Sequence, residues 1–363
     1  MRVGSVVFAN RYTGAGAVAE HFCRALRAVR VDAHLLFVGG DNLEHRLEGH
    51  DWASPALVKE RNPRRIADNL RAIRTLADDS DIVVCHLPHD HLLCVAAGVH
   101  RQTPLVRAFR SPKHLRRDSY HRFLARRLSG VLPAFSSLAR DLRRAYGALP
   151  TLALPVPLED RFVPVSAADW RRRLEIPAAA PVLGMVGKLA RGRAFDLLLE
   201  AAARTVPPAH VLVVGHGPAQ IELETLATRL GIGASVRWVG YQEKALPALY
   251  AAMDVVLFAG PGSDWGHRSI SEAQGCRRPV VAAAMLGVED LIEDGRTGRI
   301  VAADPAMLAR AVSVLLTDPE ARRRLGSAGA TVAEDRRLVP SGRRLAAFLA
   351  SIAALGTRGR QDL

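Results

Sequence analysis

Short runs that are apolar at nearly every position alternate along the chain with longer stretches whose apolar residues recur at helical spacing. Val3–Phe8, Ala33–Val38, Asp81–Cys85 and Leu105–Ala108 are the runs of the first half, and Ala17–Val29 reads as an amphipathic helix between the first two. Val182–Val186, Val211–Val214, Val236–Val239, Val255–Phe258 and Val280–Ala283 repeat the pattern in the second half. Strand alternating with crossover helix predicts right-handed βαβ units and a mostly parallel, doubly wound sheet. Ligands of such sheets bind beyond the carboxyl ends of the strands, and with two facing sheets the cleft between them is the expected site.

Between Gly147 and Pro181 the pattern lapses, and Pro150, Pro155, Pro157, Pro164, Pro177 and Pro181 punctuate the gap. This stretch is the expected linker. It divides the chain into an α/β domain over 1–164, a second over 165–340, and a terminal helix over 341–363 that is expected to pack back on the first domain. Asp304-Pro305 and Asp318-Pro319 predict helix starts, each an N-cap acceptor followed by a residue with no N–H to lose. Leu345–Leu355 is apolar nearly all round, which predicts a buried helix.

Composition narrows the class. A chain of 363 residues that is 49% hydrophobic is neither disordered nor collagen-like. Its longest apolar stretches, Leu92–Val99 and Leu345–Leu355, fall short of the roughly 20 residues of a spanning helix. Polar Asn10-Arg11-Tyr12 follows the first apolar run at once, so that run reads as a strand and not as a leader. Cys23, Cys85, Cys94 and Cys276 form no Cys-x-x-Cys pair and read as small buried hydrophobes of a reducing compartment. The net charge of +14 would ordinarily suggest nucleic acid. However, Arg101–Ala145 alone holds twelve Lys and Arg against two acids, so +10 of the excess is one local patch. The patch also has little of the aromatic interleaving of a base-stacking surface.

Four stretches could carry chemistry. Asn10–Glu20 places Gly14 and Gly16 between the first strand and its helix, either as a tight turn or as an approach for a ligand to the helix N-terminus. Lys188 and Arg193 follow strand Val182–Val186, where two cations suit a pyrophosphate or form a solvated basic turn. Gly215, Gly217 and Pro218 make a further turn after Val211–Val214. In Phe258–Ala283, Asp264 precedes a helix that opens over Gly266–Ser269, and Glu272 lies about one turn in. Exposed N–H groups between the two acids could hold a phosphate. His89, Asp90 and His91 do not make a convincing metal cluster.

The second half resembles the family-4 retaining glycosyltransferases of the GT-B fold. The family pattern stands here as Val186-Gly187-Lys188-Leu189 with Arg193 and Asp196, Val214-Gly215-His216-Gly217-Pro218, Asp264 with Glu272-Ala273, Gly275 and Pro279-Val280-Val281, and Asp294-Gly295-Arg296-Thr297-Gly298. The first half resembles, more loosely, sugar transferases of bacterial polysaccharide and lipopolysaccharide core. The resemblance implies two facing Rossmann-like sheets and a nucleotide-diphosphate sugar as donor. Lys188 and Arg193 would hold the diphosphate with their usual identities exchanged, together with the N–H groups of Gly266, His267, Arg268 and Ser269. Glu272 would bond the ribose, Tyr241 would receive the base, and Asp264, one methylene shorter than the usual Glu, would hold the sugar. Gly14, Gly16, Gly215 and Gly217 would line the donor side.

On the acceptor side, Arg110 stands where the family often has a histidine, with His86, His89, Asp90 and Arg107 nearby in sequence. The resemblance implies no metal and no cofactor beyond the nucleotide sugar. It implies a glycan or lipid-linked acceptor; the cysteine usage suggests the cytoplasm, and the basic segment offers a face for peripheral contact with the inner side of the membrane. Arg101, Arg107, Arg110, Lys113, Arg116, Arg117, Arg122, Arg126 and Arg127 would then meet anionic lipid or a phosphorylated acceptor, or else form a solvated helix face. The rival readings are a nucleotide-sugar epimerase or phosphorylase of the same fold and, last, a basic nucleic-acid-binding protein.

Overall fold

The computed structural model describes residues 1–12, 14–59, 62–261 and 267–361, with side chains described as far as residue 355. Asp264 and Gly266 lie outside the described residues. The chain forms two compact units, Met1–Pro157 with Leu338–Leu363, and Leu158–Gly262 with His267–Arg337.

The first unit contains strands β1 (Arg2–Val7), β2 (Asp32–Val38), β3 (Ala53–Leu57), β4 (Ile82–Cys85), β5 (Leu105–Phe109) and β6 (Gly130–Pro133), in the order β3-β2-β1-β4-β5-β6. The second contains β7 (Val182–Val186), β8 (His210–Val214), β9 (Val236–Gly240), β10 (Val255–Phe258), β11 (Val280–Ala283) and β12 (Arg299–Val301), ordered β12-β11-β10-β7-β8-β9. Every pairing in both sheets is parallel. Each sheet therefore reverses its strand order once, between β1 and β4 and between β7 and β10, and the carboxyl ends at that reversal are where such folds hold ligands.

The central strands are aliphatic throughout because both faces are covered. In the first unit Val7, Leu35 and Ala108 pack under the Ala15–Ala28 helix, while Val6, Leu105 and Phe109 pack under the helices of the other face. The second unit repeats this with Leu183, Val211 and Leu257 on one side and Leu212, Val256 and Phe258 on the other. Asp304 accepts from Ala306 N–H and Met307 N–H, and Asp318 from Ala321 N–H, so both Asp-Pro pairs start helices as expected. All four cysteines are buried and unpaired.

The terminal helix differs from expectation. It spans Leu338–Gln361, and among its described side chains one stripe is buried, Leu338, Ser341, Leu345, Leu349 and Ile352, of which the last three join the first unit's core. The exposed Ala347, Ala350 and Ala354 are small enough to leave in water, and Leu355 is 63% exposed. Leu338–Leu355 is also long and apolar enough to cross a membrane by length and composition alone, which the shorter Leu345–Leu355 window conceals. Where this helix crosses the Ala15–Ala28 helix, Gly342 is required. A Cβ there would lie 2.0 Å from the Ala25 carbonyl oxygen.

Candidate functional site

In the second unit the loops after β7, β8 and β10 are laid directly on one another. Gly215 has φ +140°, and a Cβ on it would stand 1.8 Å from the Gly187 carbonyl oxygen; on Gly217 it would stand 2.1 Å from that of Leu189. Gly187 N–H donates to Val214 and Leu189 N–H to His216, which closes the two loops together. These glycines are thus demanded by backbone packing. On the other side, a Cβ on Gly260 would meet the Arg193 carbonyl at 2.7 Å, and the Arg193 guanidinium donates to the Pro261 carbonyl. Lys188, on the same β7 loop, is exposed to solvent.

His267 precedes the Arg268–Gly275 helix in a left-handed conformation, φ +47°, which costs a non-glycine residue free energy and persists only where the surroundings fix it. Here its Nε2 bonds the Leu286 carbonyl at 2.7 Å and its ring stands edge-on to Phe258, centroids 4.9 Å apart. Ser269 is half-buried and Arg268 is one-third exposed. Ser271 and Gln274, farther along the helix, both accept from the Arg336 guanidinium, at 3.1 and 2.8 Å, and so anchor the helix from behind.

Glu272 is 4% exposed. Its Oε2 accepts from the Tyr250 hydroxyl at 2.7 Å, and its Oε1 pairs with Arg268 Nε at 3.1 Å. Burial raises the Glu272 carboxyl above its ordinary range, against the opposing pull of Arg268 and the phenol. Tyr250 is fully buried on the Leu246–Ala252 helix, and burial beside that carboxylate pushes its phenol well above the usual value. Tyr241, just past β9, is 65% exposed, and its hydroxyl donates to Glu243 at 3.3 Å. The Glu243 carbonyl in turn accepts from Arg161, whose guanidinium also holds Glu159 at 3.1 Å.

Gly14 and Gly16 lie in the first unit. Gly14, φ +54°, precedes the Ala15–Ala28 helix, and a Cβ on Gly16 would meet the Arg11 carbonyl at 2.5 Å. Just past β4, His86 Nε2 lies 2.9 Å from Ser5 Oγ on β1, and just past β5, Arg110 donates to the Leu154 carbonyl at 2.8 Å. Asp90 is fully buried. It accepts from Phe8 N–H at 2.8 Å, Leu87 N–H at 2.7 Å and His86 N–H at 3.2 Å, binding together the loops after β1 and β4. Burial outweighs these bonds and pushes Asp90 up to about 7, while burial and the Arg110 charge bring His86 down to about 3. His89 is exposed at the surface and stands edge-on to Phe8.

Arg107 acts on Asp90 only through its charge and makes its own contacts elsewhere. It lies on the opposite face of β5, its guanidinium over the Phe109 ring at 4.0 Å and 3.4 Å from His91 Nδ1. Arg107 and Arg110 are each 2% exposed, so two of the nine basic residues expected at the surface are interior instead. Arg107 belongs to a central strand buried on both faces, and Arg110 follows it directly, a position that a charge count along the chain does not register.

Sequence reasoning missed Tyr250, Arg336 and the Arg268–Glu272 pairing. Tyr250 carried a signal: one hydroxyl in the apolar run Leu246–Met253 must find a partner when buried. A groove of about 720 Å³ in the first unit, lined among others by Asp41, Glu44, Glu48 and Asp51, includes none of the expected site residues.

Residues 166–332 match the family described as glycosyl transferases group 1. The chain is 39% identical over 209 residues to a D-inositol 3-phosphate glycosyltransferase of Geodermatophilus obscurus, covering 53% of this chain and 45% of that protein. It is 35% identical over 167 residues to the lipopolysaccharide core biosynthesis glycosyltransferase LpsE of Rhizobium meliloti, covering 46% and 48%. The chain thus spans about half the length of these curated relatives. Among solved structures, Anabaena HepE in complex with UDP and glucose superposes with a TM-score of 0.82 at 21% identity, covering 97% of this chain and all of HepE. WaaG, a glycosyltransferase involved in lipopolysaccharide biosynthesis, superposes with a TM-score of 0.68 at 18% identity, covering 96% and 99%. Two parallel six-stranded sheets in this order, with a helix carrying a buried glutamate after β10, define a GT-B architecture. The group 1 glycosyl transferase match covers most of the second unit and under half of the chain.

Proposed function

We propose that the chain is a retaining glycosyltransferase that moves a sugar from a nucleotide-diphosphate sugar to a glycan or lipid-linked acceptor. The observation that carries this reading is Glu272. A buried carboxylate in the first turn and a half of a helix, behind loops bearing Lys188 and Arg193, is a constellation for a sugar hydroxyl and an adjacent diphosphate. The bond from the donor sugar carbon to phosphate oxygen breaks as the acceptor oxygen bonds the same face of that carbon. The acceptor proton passes to the departing phosphate oxygen. Lys188, Arg193 and the helix N-terminus stabilise the charge left behind, so the step needs neither a protein nucleophile nor a metal ion. Asp264 is assigned to the donor sugar and Tyr241 to the base. UDP bound by HepE and the lipopolysaccharide-related names of LpsE and WaaG support a nucleotide donor and a surface-glycan acceptor.

The acceptor side is read as a membrane-facing surface at the cytoplasmic leaflet. On the Ser119–Ala125 helix Tyr120 and Phe123 are 48% and 50% exposed, among the exposed Arg116, Arg117, Arg122 and Arg126. Phe123 lies under the Arg127 guanidinium at 3.4 Å and Tyr120 stands edge-on to His121, and half-exposed aromatics among arginines suit an anionic bilayer surface.

The test is nucleoside diphosphate release from donor sugars with and without a lipid or glycan acceptor fraction. Acceptor-dependent release with the sugar found on the acceptor supports the reading. A rearranged nucleotide sugar formed without acceptor supports the epimerase alternative.

A further inference from the structure

Glu272 is engaged on both oxygens before any ligand arrives. The inner one, Oε2, is held by Tyr250, which has no exposed surface and cannot leave. The outer one, Oε1, is held by Arg268, one turn earlier on the same helix and one-third exposed. A ligand hydroxyl that approaches from solvent therefore meets the carboxylate where the guanidinium already sits. Glu159, Arg161 and Cys276 also interact electrostatically with this carboxyl, and Glu159 and Arg161 pair with each other, at 3.1 Å.

We infer that Arg268 is a specificity residue that makes the site select nucleoside diphosphates over nucleosides. This rests on the reading of Glu272 as the ribose acceptor. A bare nucleoside must displace Arg268 from Glu272 and offers the cation nothing in return, leaving a charge-assisted bond broken. A nucleoside diphosphate presents its anion at the start of the helix that begins with Arg268. The guanidinium then transfers to phosphate, Oε1 is released to the ribose, and no charge is left unpaired. The exchange makes ribose binding conditional on phosphate.

The experiment titrates uridine with UDP, guanosine with GDP and adenosine with ADP into the wild-type chain, Arg268→Gln and Arg268→Lys. The melting temperature of each variant is recorded. For the pair that binds, Arg268→Gln tightens the nucleoside by about tenfold and weakens the diphosphate by about tenfold, so the preference collapses about a hundredfold. Arg268→Lys keeps the charge and most of the preference. If Arg268→Gln weakens the diphosphate and leaves the nucleoside unchanged or weaker, Arg268 is a simple phosphate contact and the inference is overturned. If no diphosphate binds the folded wild-type chain, the proposed function falls and takes the inference with it.

Discussion

The Tyr250 hydroxyl and the Glu272 carboxylate, 22 residues apart on different helices, meet at 2.7 Å with no water-accessible surface on the phenol. The bond fixes which carboxylate oxygen faces inward and leaves the other for Arg268. Tyr250→Phe keeps the ring against Phe162 but leaves Oε2 without its donor. It is expected to lower stability by about 1–3 kcal/mol, the cost of an unsatisfied buried acceptor, and to raise the donor KM more than it lowers kcat. Denaturant unfolding with steady-state kinetics checks both. An unchanged KM would remove Tyr250 from the positioning role.

His86 makes stability depend on pH in a fixed direction. Its folded value of about 3 lies below the 6.5 of an unfolded histidine, so the unfolded chain binds the extra proton between these limits. Stability from this group is complete above about pH 6.5 and is lost as pH falls towards 3, about 2 kcal/mol by pH 5. Asp90 acts oppositely, because its value of about 7 is raised, so it contributes stability below the unfolded carboxyl range that is lost as pH rises through 7. Between pH 5 and 6.5 the two slopes oppose each other, so His86→Gln leaves the Asp90 slope unopposed and should make unfolding free energy fall with rising pH more steeply than in the wild type, measured by denaturant titration.

Gly215 is the position where a single methyl group does most harm. Alanine there would place its Cβ 1.8 Å from the Gly187 carbonyl in a backbone conformation L-residues avoid. Gly215→Ala should cost at least about 3 kcal/mol and disturb the Lys188 loop. Gly231→Ala, also at positive φ but with open space around it, serves as the comparison and should cost only about 1 kcal/mol. Equal melting temperatures for the two variants would contradict the loop-stacking account.

These cases also mark what could be read from the chain alone. All nine expected strands form, because central parallel strands must be apolar on both faces and so announce themselves. The unforeseen β3, β6 and β12 all lie at sheet edges. There β3 accommodates Pro55, β6 carries Gly130 and Pro133, and β12 has only three residues, so none shows a continuous apolar run. Lys188, Glu272 and the paired glycines were visible as spacings after strands. The partners of Glu272 were not. An i,i+4 Arg–Glu pair is common on surfaces, and only the burial of this one, with a phenol from a distant helix, makes it a site feature. Arg107 and Arg110 were misplaced for the converse reason, since charge counted along a segment ignores which residues its strand carries inside.

The exposed face of the Ser119–Ala125 helix makes a separate prediction. Vesicles containing about one-third anionic lipid should bind the chain at low salt and release it as ionic strength rises. Tyr120→Ala with Phe123→Ala should weaken binding at every salt concentration. Arg116→Glu with Arg122→Glu should abolish the salt dependence with it. Flotation of the chain with neutral vesicles alone would contradict the charge-based reading.

The central claim is that Lys188 and Arg193 form the cationic clamp of a nucleotide-sugar site. The most direct measurement is a thermal shift of the wild-type chain and of the Lys188→Ala, Arg193→Ala double variant in a panel of UDP-, GDP- and ADP-sugars. The account predicts that one nucleotide class raises the wild-type melting temperature by several degrees and leaves the double variant unmoved, a loss of about 3 kcal/mol of binding. A wild-type chain indifferent to every nucleotide sugar, or a double variant that responds as the wild type does, would contradict it.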